Sequence, residues 1–166
     1  VEQMSFADEL EVCMYSGGDK REDGSLRGWR EYDDPEALLR QSVFAVKQDV
    51  RLLNDNIVRA TVEQGLTRVR ERRGIRPDDY AYFLPHYSSA YFRDRLYQGM
   101  RNSDFDLPQE RWFTNLPLKG NTGSASIFIM LEELFASGRL EPGQRLLCYV
   151  PESGRFSVAY MQLTVV

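Results

Sequence analysis

The chain has 166 residues, 21 of them Lys or Arg against 25 Asp or Glu, with one histidine and a net charge of −4. Such a length is enough for one domain that buries about two-thirds of its unfolded surface. The acidic balance argues against a surface built to hold phosphate backbones, so nucleic acid is not an expected partner.

In chain order, ELEVCMYS (Glu9 to Ser16) alternates apolar and polar side chains and predicts a strand, and the polar GGDKREDGSLRGW after it predicts an exposed, weakly ordered loop. From about Pro35 to Arg73, apolar residues recur at Val43, Val46, Val50, Leu53 and Ile57, then at Val58, Val62, Leu66 and Val69. Spacing of three and four predicts a long amphipathic helix, open to one break near its start, with Gly74 as its C-cap. AYFLP (Ala81 to Pro85) predicts a short strand with His86 at its exit; Ser88 or Ser89 is placed to cap a helix through Met100, and RWFTNL is strand-like. Thr122 or Ser124 then caps a helix that Gly138 and Pro142-Gly143 end. RLLCYVP and RFSVAYMQLTVV predict two closing strands.

The helix after Lys119 has an unusual composition. Ser124, Ala125 and Ser126 are small, and Ile127 to Leu131 are apolar around the whole circumference, which predicts burial on every side between two layers. Its positive end would then face a buried place, where the Asn121 amide could donate to an oxygen gaining negative charge. The plain alternatives stay open: Gly120-Asn121 is what a tight turn or N-cap selects, and His86 could be a strand-end histidine satisfied by a carbonyl.

The longest strongly apolar run, Ala125 to Leu131, is far short of the ~20 residues of a membrane span, and VEQMSFADELE lacks the basic and apolar layout of a leader. A cytoplasmic protein with no membrane partner is expected. Cys13 and Cys148 lie in strand-like stretches without metal-ligand spacing, so buried free thiols and no metal site are expected.

The order FLPH (Phe83 to His86), KGNTGSAS (Lys119 to Ser126), LEEL, SGRLEPGQRLLCYV (Ser137 to Val150) and a closing strand resembles the C-terminal half of β-ketoacyl-ACP synthase III, in the thiolase superfamily, from about Tyr32 onward. PHYSSAYFRDRLYQG and WFTNL are more similar to the ketosynthase-III-like enzymes of aryl-polyene and dialkylresorcinol pathways. The resemblance implies an α/β, thiolase-like fold, the C-terminal half of the layered αβαβα architecture. Residues 35–166 would form the ketosynthase domain, and residues 1–34 a strand and loop from the junction with an N-terminal half.

It also implies a Cys-His-Asn condensing site. A cysteine of the N-terminal half is acylated, and His86 and Asn121 bind the thioester carbonyl of a malonyl or β-ketoacyl extender. The implied partners are acyl-CoA or acyl carrier protein thioesters, the N-terminal half and a second copy in a homodimer, with no cofactor. The glycine-rich turn before the last strand would contribute an oxyanion N–H, and here it reads Pro151 to Phe156; Ser153, Gly154 and Phe156 are its substrate-binding candidates. The residues after the histidine depart from the family's Gln-Ala-Asn, reading Tyr87-Ser88-Ser89. Neither cysteine follows a strand and opens a helix, where the dipole would lower its pKa. The chain alone is therefore expected to be inactive, and a non-catalytic thiolase-fold subunit that binds a partner ketosynthase is the alternative.

Overall fold

The computed structural model describes residues 1–10 and 13–166. Strand β1 (Glu2–Ser5) opens the chain, β2 (Met14–Tyr15) follows a turn, and β3 (Gly18–Lys20) and β4 (Leu26–Gly28) form a hairpin. The strand expected over Glu9 to Ser16 is thus reduced to β2; Ala7 to Glu9 form a turn, with the Glu9 and Leu10 amides both donating to the Phe6 carbonyl, and residues 11–12 lie outside the described residues. The segment expected to be a weakly ordered loop is the β3–β4 hairpin. Lys20 and Lys47 tie it down through ion pairs with Asp49 and Asp19.

Helix α1 (Pro35–Arg40) begins at Asp34, whose carboxylate accepts the Glu36 amide, with Pro35 in the first helical position, where no amide donor is needed. The expected long helix then breaks for longer than one turn. Gln41 to Asp49 form turns and strand β5 (Lys47–Gln48), which pairs with β2. Val43 and Val46 fit the helical spacing but sit here, Val43 buried and Val46 exposed. Ser42 explains the break, because its positive φ of 49° and the Val43 amide's bond to the Leu38 carbonyl turn the chain out of the helix.

The chain is helical again from α2 (Val50–Val58), capped by the Asp49 carboxylate, through a π-helical segment, Arg59–Gln64, to α3 (Gly65–Arg73), which Gly74 ends at φ 61°. Within the π segment the Thr61 hydroxyl lies 2.5 Å from both the Ile57 carbonyl and the Tyr149 hydroxyl. Strand β6 (Tyr82–Pro85), helix α4 (Arg93–Asn102), the single turn α5 (Leu116–Lys119) and α6 (Ser126–Ala136) follow, then β7 (Arg145–Glu152) and β8 (Ser157–Thr164). RWFTNL is not a strand. Trp112 makes one bridge to Phe83, and the segment's last residue, Leu116, already begins α5, with Pro117 in its first turn.

Among the described residues the main sheet has the order β1-β8-β7-β6, antiparallel except for the parallel β6–β7 pair. Residues 1–34 therefore contribute a strand to the same sheet as β8. The run Leu146-Leu147-Cys148-Tyr149 is apolar without alternation because both faces of the sheet are covered. Leu147 and Tyr149 join Phe83 in a core with α2 to α4, and Leu146 and Cys148 join Leu84 in a second core with Ile127, Met130 and Leu134 of α6. Helix α6 is buried on one face only. Phe128 and Phe135, on its far side, are 66% and 76% exposed.

Candidate functional site

His86 is placed by the parallel ladder. Its amide donates to the Tyr149 carbonyl at 2.8 Å, carrying the β6–β7 pairing one residue past Pro85 before the chain turns away. The side chain is only 8% exposed, and burial pushes the imidazole pKa below its ordinary 6.5, against a weaker opposing pull from the Glu152 carboxylate. At neutral pH the ring is uncharged and offers one N–H.

Asn121 is placed by two glycines. Gly120 at φ 71°, ψ −171° and Gly123 at φ 60° hold backbone conformations that side chains disfavour, and between them the Asn121 carbonyl oxygen accepts the Gly123 amide at 3.0 Å. The amide oxygen is thereby occupied, and among the described residues nothing accepts from the Asn121 NH₂. Thr122 contacts the Ser126 hydroxyl at 2.8 Å, fixing this turn to the start of α6. Asn121 is exposed.

Both residues line one cavity of about 230 Å³. It lies at the carboxyl ends of β6 and β7, the place where open α/β sheets gather ligands. Leu53, Ile57 and Val58 of α2, with Phe92 and Leu96, form its apolar wall; Gln48, Tyr87, Ser88, Tyr149, Glu152 and Ser153 supply polar atoms. Of the turn after β7, only Ser153 among the three candidates reaches the cavity. The Gly154 amide donates to the Glu152 carboxylate at 3.1 Å and is thereby occupied, and Phe156 is fully buried in the core beneath the sheet at φ 42°. Glu152 was not among the sequence candidates. Its signal was the acid at the second place of a turn that resembles a glycine-rich one.

Both thiols are buried. Desolvation pushes Cys13 up to about 11, with Asp49 adding to the rise, and pushes Cys148 up to about 12. Neither lines the cavity, so no thiolate nucleophile stands there among the described residues. Among the described residues no helix is long and apolar enough to cross a membrane.

Residues 70–155 match the family of the 3-oxoacyl-[acyl-carrier-protein (ACP)] synthase III C terminal. The chain belongs to this family. His86, Asn121 and the Pro151 to Arg155 turn all fall within the matched span. The β-ketoacyl-[acyl-carrier-protein] synthase III of Aquifex aeolicus is 28% identical over 87 residues, covering 52% of this chain and 26% of that protein. The enzyme of the same name from Streptococcus pyogenes serotype M5 is 26% identical over 124 residues, 74% of this chain and 36% of its own length. In three dimensions the synthase III of Thermus thermophilus superposes with a TM-score of 0.69 at 20% identity, covering 99% of this chain and 45% of that one. Xanthomonas campestris OleA gives 0.68 at 17%, covering 98% and 38%. These neighbours show a thiolase-like α/β fold. The chain spans between about a quarter and a half of the length of the proteins it matches.

Proposed function

We propose that these residues are the C-terminal half of a β-ketoacyl-ACP synthase III-like condensing enzyme. It forms a C–C bond in the Claisen manner between an acyl group held as a thioester on a cysteine of the N-terminal half and a malonyl or β-ketoacyl thioester bound at His86 and Asn121. The observation that carries the reading is the shared cavity: a neutral histidine and an asparagine with a free NH₂, on separate loops, both line it at the carboxyl end of the sheet beside an apolar wall.

The chemistry asks for that pair. Forming the extender's enolate puts negative charge on its thioester oxygen, and two preorganised donors in a largely apolar cavity stabilise the charge without reorganising. Asn121 takes up no proton at ordinary pH, so the pair suits an oxyanion better than a proton relay. The substrates are carried by CoA or an acyl carrier protein, and no cofactor is called for. The N-terminal half covers the outer face of α6, where Phe128 and Phe135 are exposed, and the enzyme works as a homodimer in the cytoplasm. With both thiols buried and raised, this half alone does not condense.

In the full-length enzyme, His86→Ala and Asn121→Ala should each leave acylation of the upstream cysteine largely intact while slowing product formation by about 10²- to 10³-fold, the range for losing one oxyanion donor. Mass spectrometry of the acylated protein, set against the rate of product release, measures both steps. If His86→Ala abolishes acylation while Asn121→Ala changes neither step, the two do not share an extender site. The buried state of both cysteines also favours a second reading, a non-catalytic subunit of a partner ketosynthase. Failure of the full-length protein to take up acyl groups from a panel of thioesters would establish it.

A further inference from the structure

One charged side chain lines the cavity among the described residues, and it is Glu152. It is the last residue of β7, where the strand passes the exit of β6, and it lines the same cavity as His86. Its Oε1 accepts the Gly154 amide at 3.1 Å and contacts the Ser153 hydroxyl at 3.5 Å, which fixes the carboxylate at the turn. Among the described residues nothing donates to Oε2, and no lysine or arginine lines the cavity to neutralise the acid. A carboxylate in this place, with one oxygen free, repels a second carboxylate and has a lone pair to offer a carbon-bound proton.

We propose that Glu152 is the base of an extender site that takes a thioester with no free carboxylate, one whose α-carbon lies between two carbonyls. This rests on His86 and Asn121 binding the extender's thioester oxygen. The Glu152 carboxylate removes a proton from that carbon, and the electron pair of the broken C–H bond becomes the enolate, whose oxygen takes hydrogen bonds from His86 and Asn121. The carbon then attacks the acyl thioester on the enzyme; a C–C bond forms, the C–S bond breaks, and the departing thiolate recovers a proton equivalent to the one held by Glu152. No carbon dioxide leaves and no oxidant is needed. A malonyl thioester, which must lose its carboxylate as carbon dioxide, would bring that negative charge into a cavity whose charged group is already negative.

The test uses the full-length enzyme. Exchange of the α-hydrogens of an acetoacetyl thioester in D₂O, followed by NMR without an acyl donor, isolates the proton transfer. Wild-type enzyme should catalyse this exchange and should use the acetoacetyl thioester at least about tenfold better than the malonyl one, the discrimination expected of an uncompensated like charge at a partly screened site. Glu152→Gln should slow the exchange by about 10²- to 10⁴-fold, the usual contribution of a general base, with cysteine acylation unchanged as the control for folding. Wild-type preference for the malonyl thioester would overturn the proposal without any variant. So would full exchange activity in Glu152→Gln. If instead His86→Ala and Asn121→Ala leave exchange and condensation untouched, it is the shared extender site that fails.

Discussion

His86 is the single histidine of the chain, so its titration can be followed without overlap. Burial lowers its pKa in the folded state, which means the unfolded chain binds the proton more tightly. The stability this group contributes is therefore fully present above the ordinary value of 6.5 and is lost as pH falls from there toward the lowered native value. In an NMR titration of the folded chain, the two C–H resonances of the one imidazole should show a midpoint below 6.5, and His86→Gln should flatten the loss of stability over that same interval. A midpoint at or above 6.5 would mean that the ring is not desolvated. The thiols give a second measurement. With Cys13 raised to about 11 and Cys148 to about 12, both should react with an alkylating reagent at pH 8 far more slowly than in the unfolded chain, on the order of 10²-fold for Cys13 and 10³-fold for Cys148 from thiolate fraction alone. Fast labelling of native Cys13 would return it to consideration as a nucleophile. His86 and Asn121 were readable as candidates because a strand exit and a glycine-flanked turn mark loop positions locally. Glu152 showed only as an acid in a turn that resembles a glycine-rich one; that it faces a cavity depends on β6 and β7 bringing that turn beside His86, which no local pattern records.

The elements that face both ways were the easiest to read. Leu146 to Tyr149 and the positions Leu53, Ile57, Val62, Leu66 and Val69 carry their burial in their spacing, because a strand covered on two faces and a helix covered on one leave different periods, while Val50 of the same series is exposed. The failures were local breaks overriding a period. Val43 and Val46 continue the helical spacing across a segment that Ser42 turns away, and RWFTNL has strand composition but runs into a helical turn that begins at its own Leu116, with Pro117 next. Nothing in the residue pattern announced the π segment. Its register depends on Thr61 meeting the hydroxyl of Tyr149, which is distant in sequence and itself lines the cavity. Against this segment α4 makes a close approach at Gly99, where an added Cβ would lie 2.5 Å from the Val58 Cγ1 and 3.5 Å from that of Val62. Valine is stiff at χ1, so the contact cannot relax by swinging a flexible tip. Gly99→Ala should destabilise the chain by about 1–3 kcal/mol, the range for overpacking, seen as a lower urea midpoint at unchanged slope. An unaltered midpoint would show that α4 can back away from α2 at little cost.

On the scale of the molecule, α6 is half finished. Its inner face closes the core around Leu84 and Cys148, while Phe128 and Phe135 stand in solvent, so the expectation of burial all round holds on one side of the helix in this chain. The composition predicts a covering layer on the other side as well, and none of the described residues supplies one. If that layer is the N-terminal half or a second copy, the isolated chain should self-associate in sedimentation velocity at micromolar concentration, and Phe128→Glu with Phe135→Glu should return it to a monomer with unchanged far-ultraviolet circular dichroism. A wild-type chain that stays monomeric would argue that these phenylalanines are not an association surface. The order β1-β8-β7-β6 has a further consequence for how the chain comes to fold. Strand β8, latest in the chain, is an interior strand, gripped by β7 on one side and by the earliest strand on the other; the Ser5 hydroxyl reaches the Arg155 carbonyl across 150 residues. Loop closure over such a separation must come before these contacts stabilise anything. During synthesis β1 therefore has no β8 to pair with until the residues between them have emerged, and over that interval its edge is open to wrong partners.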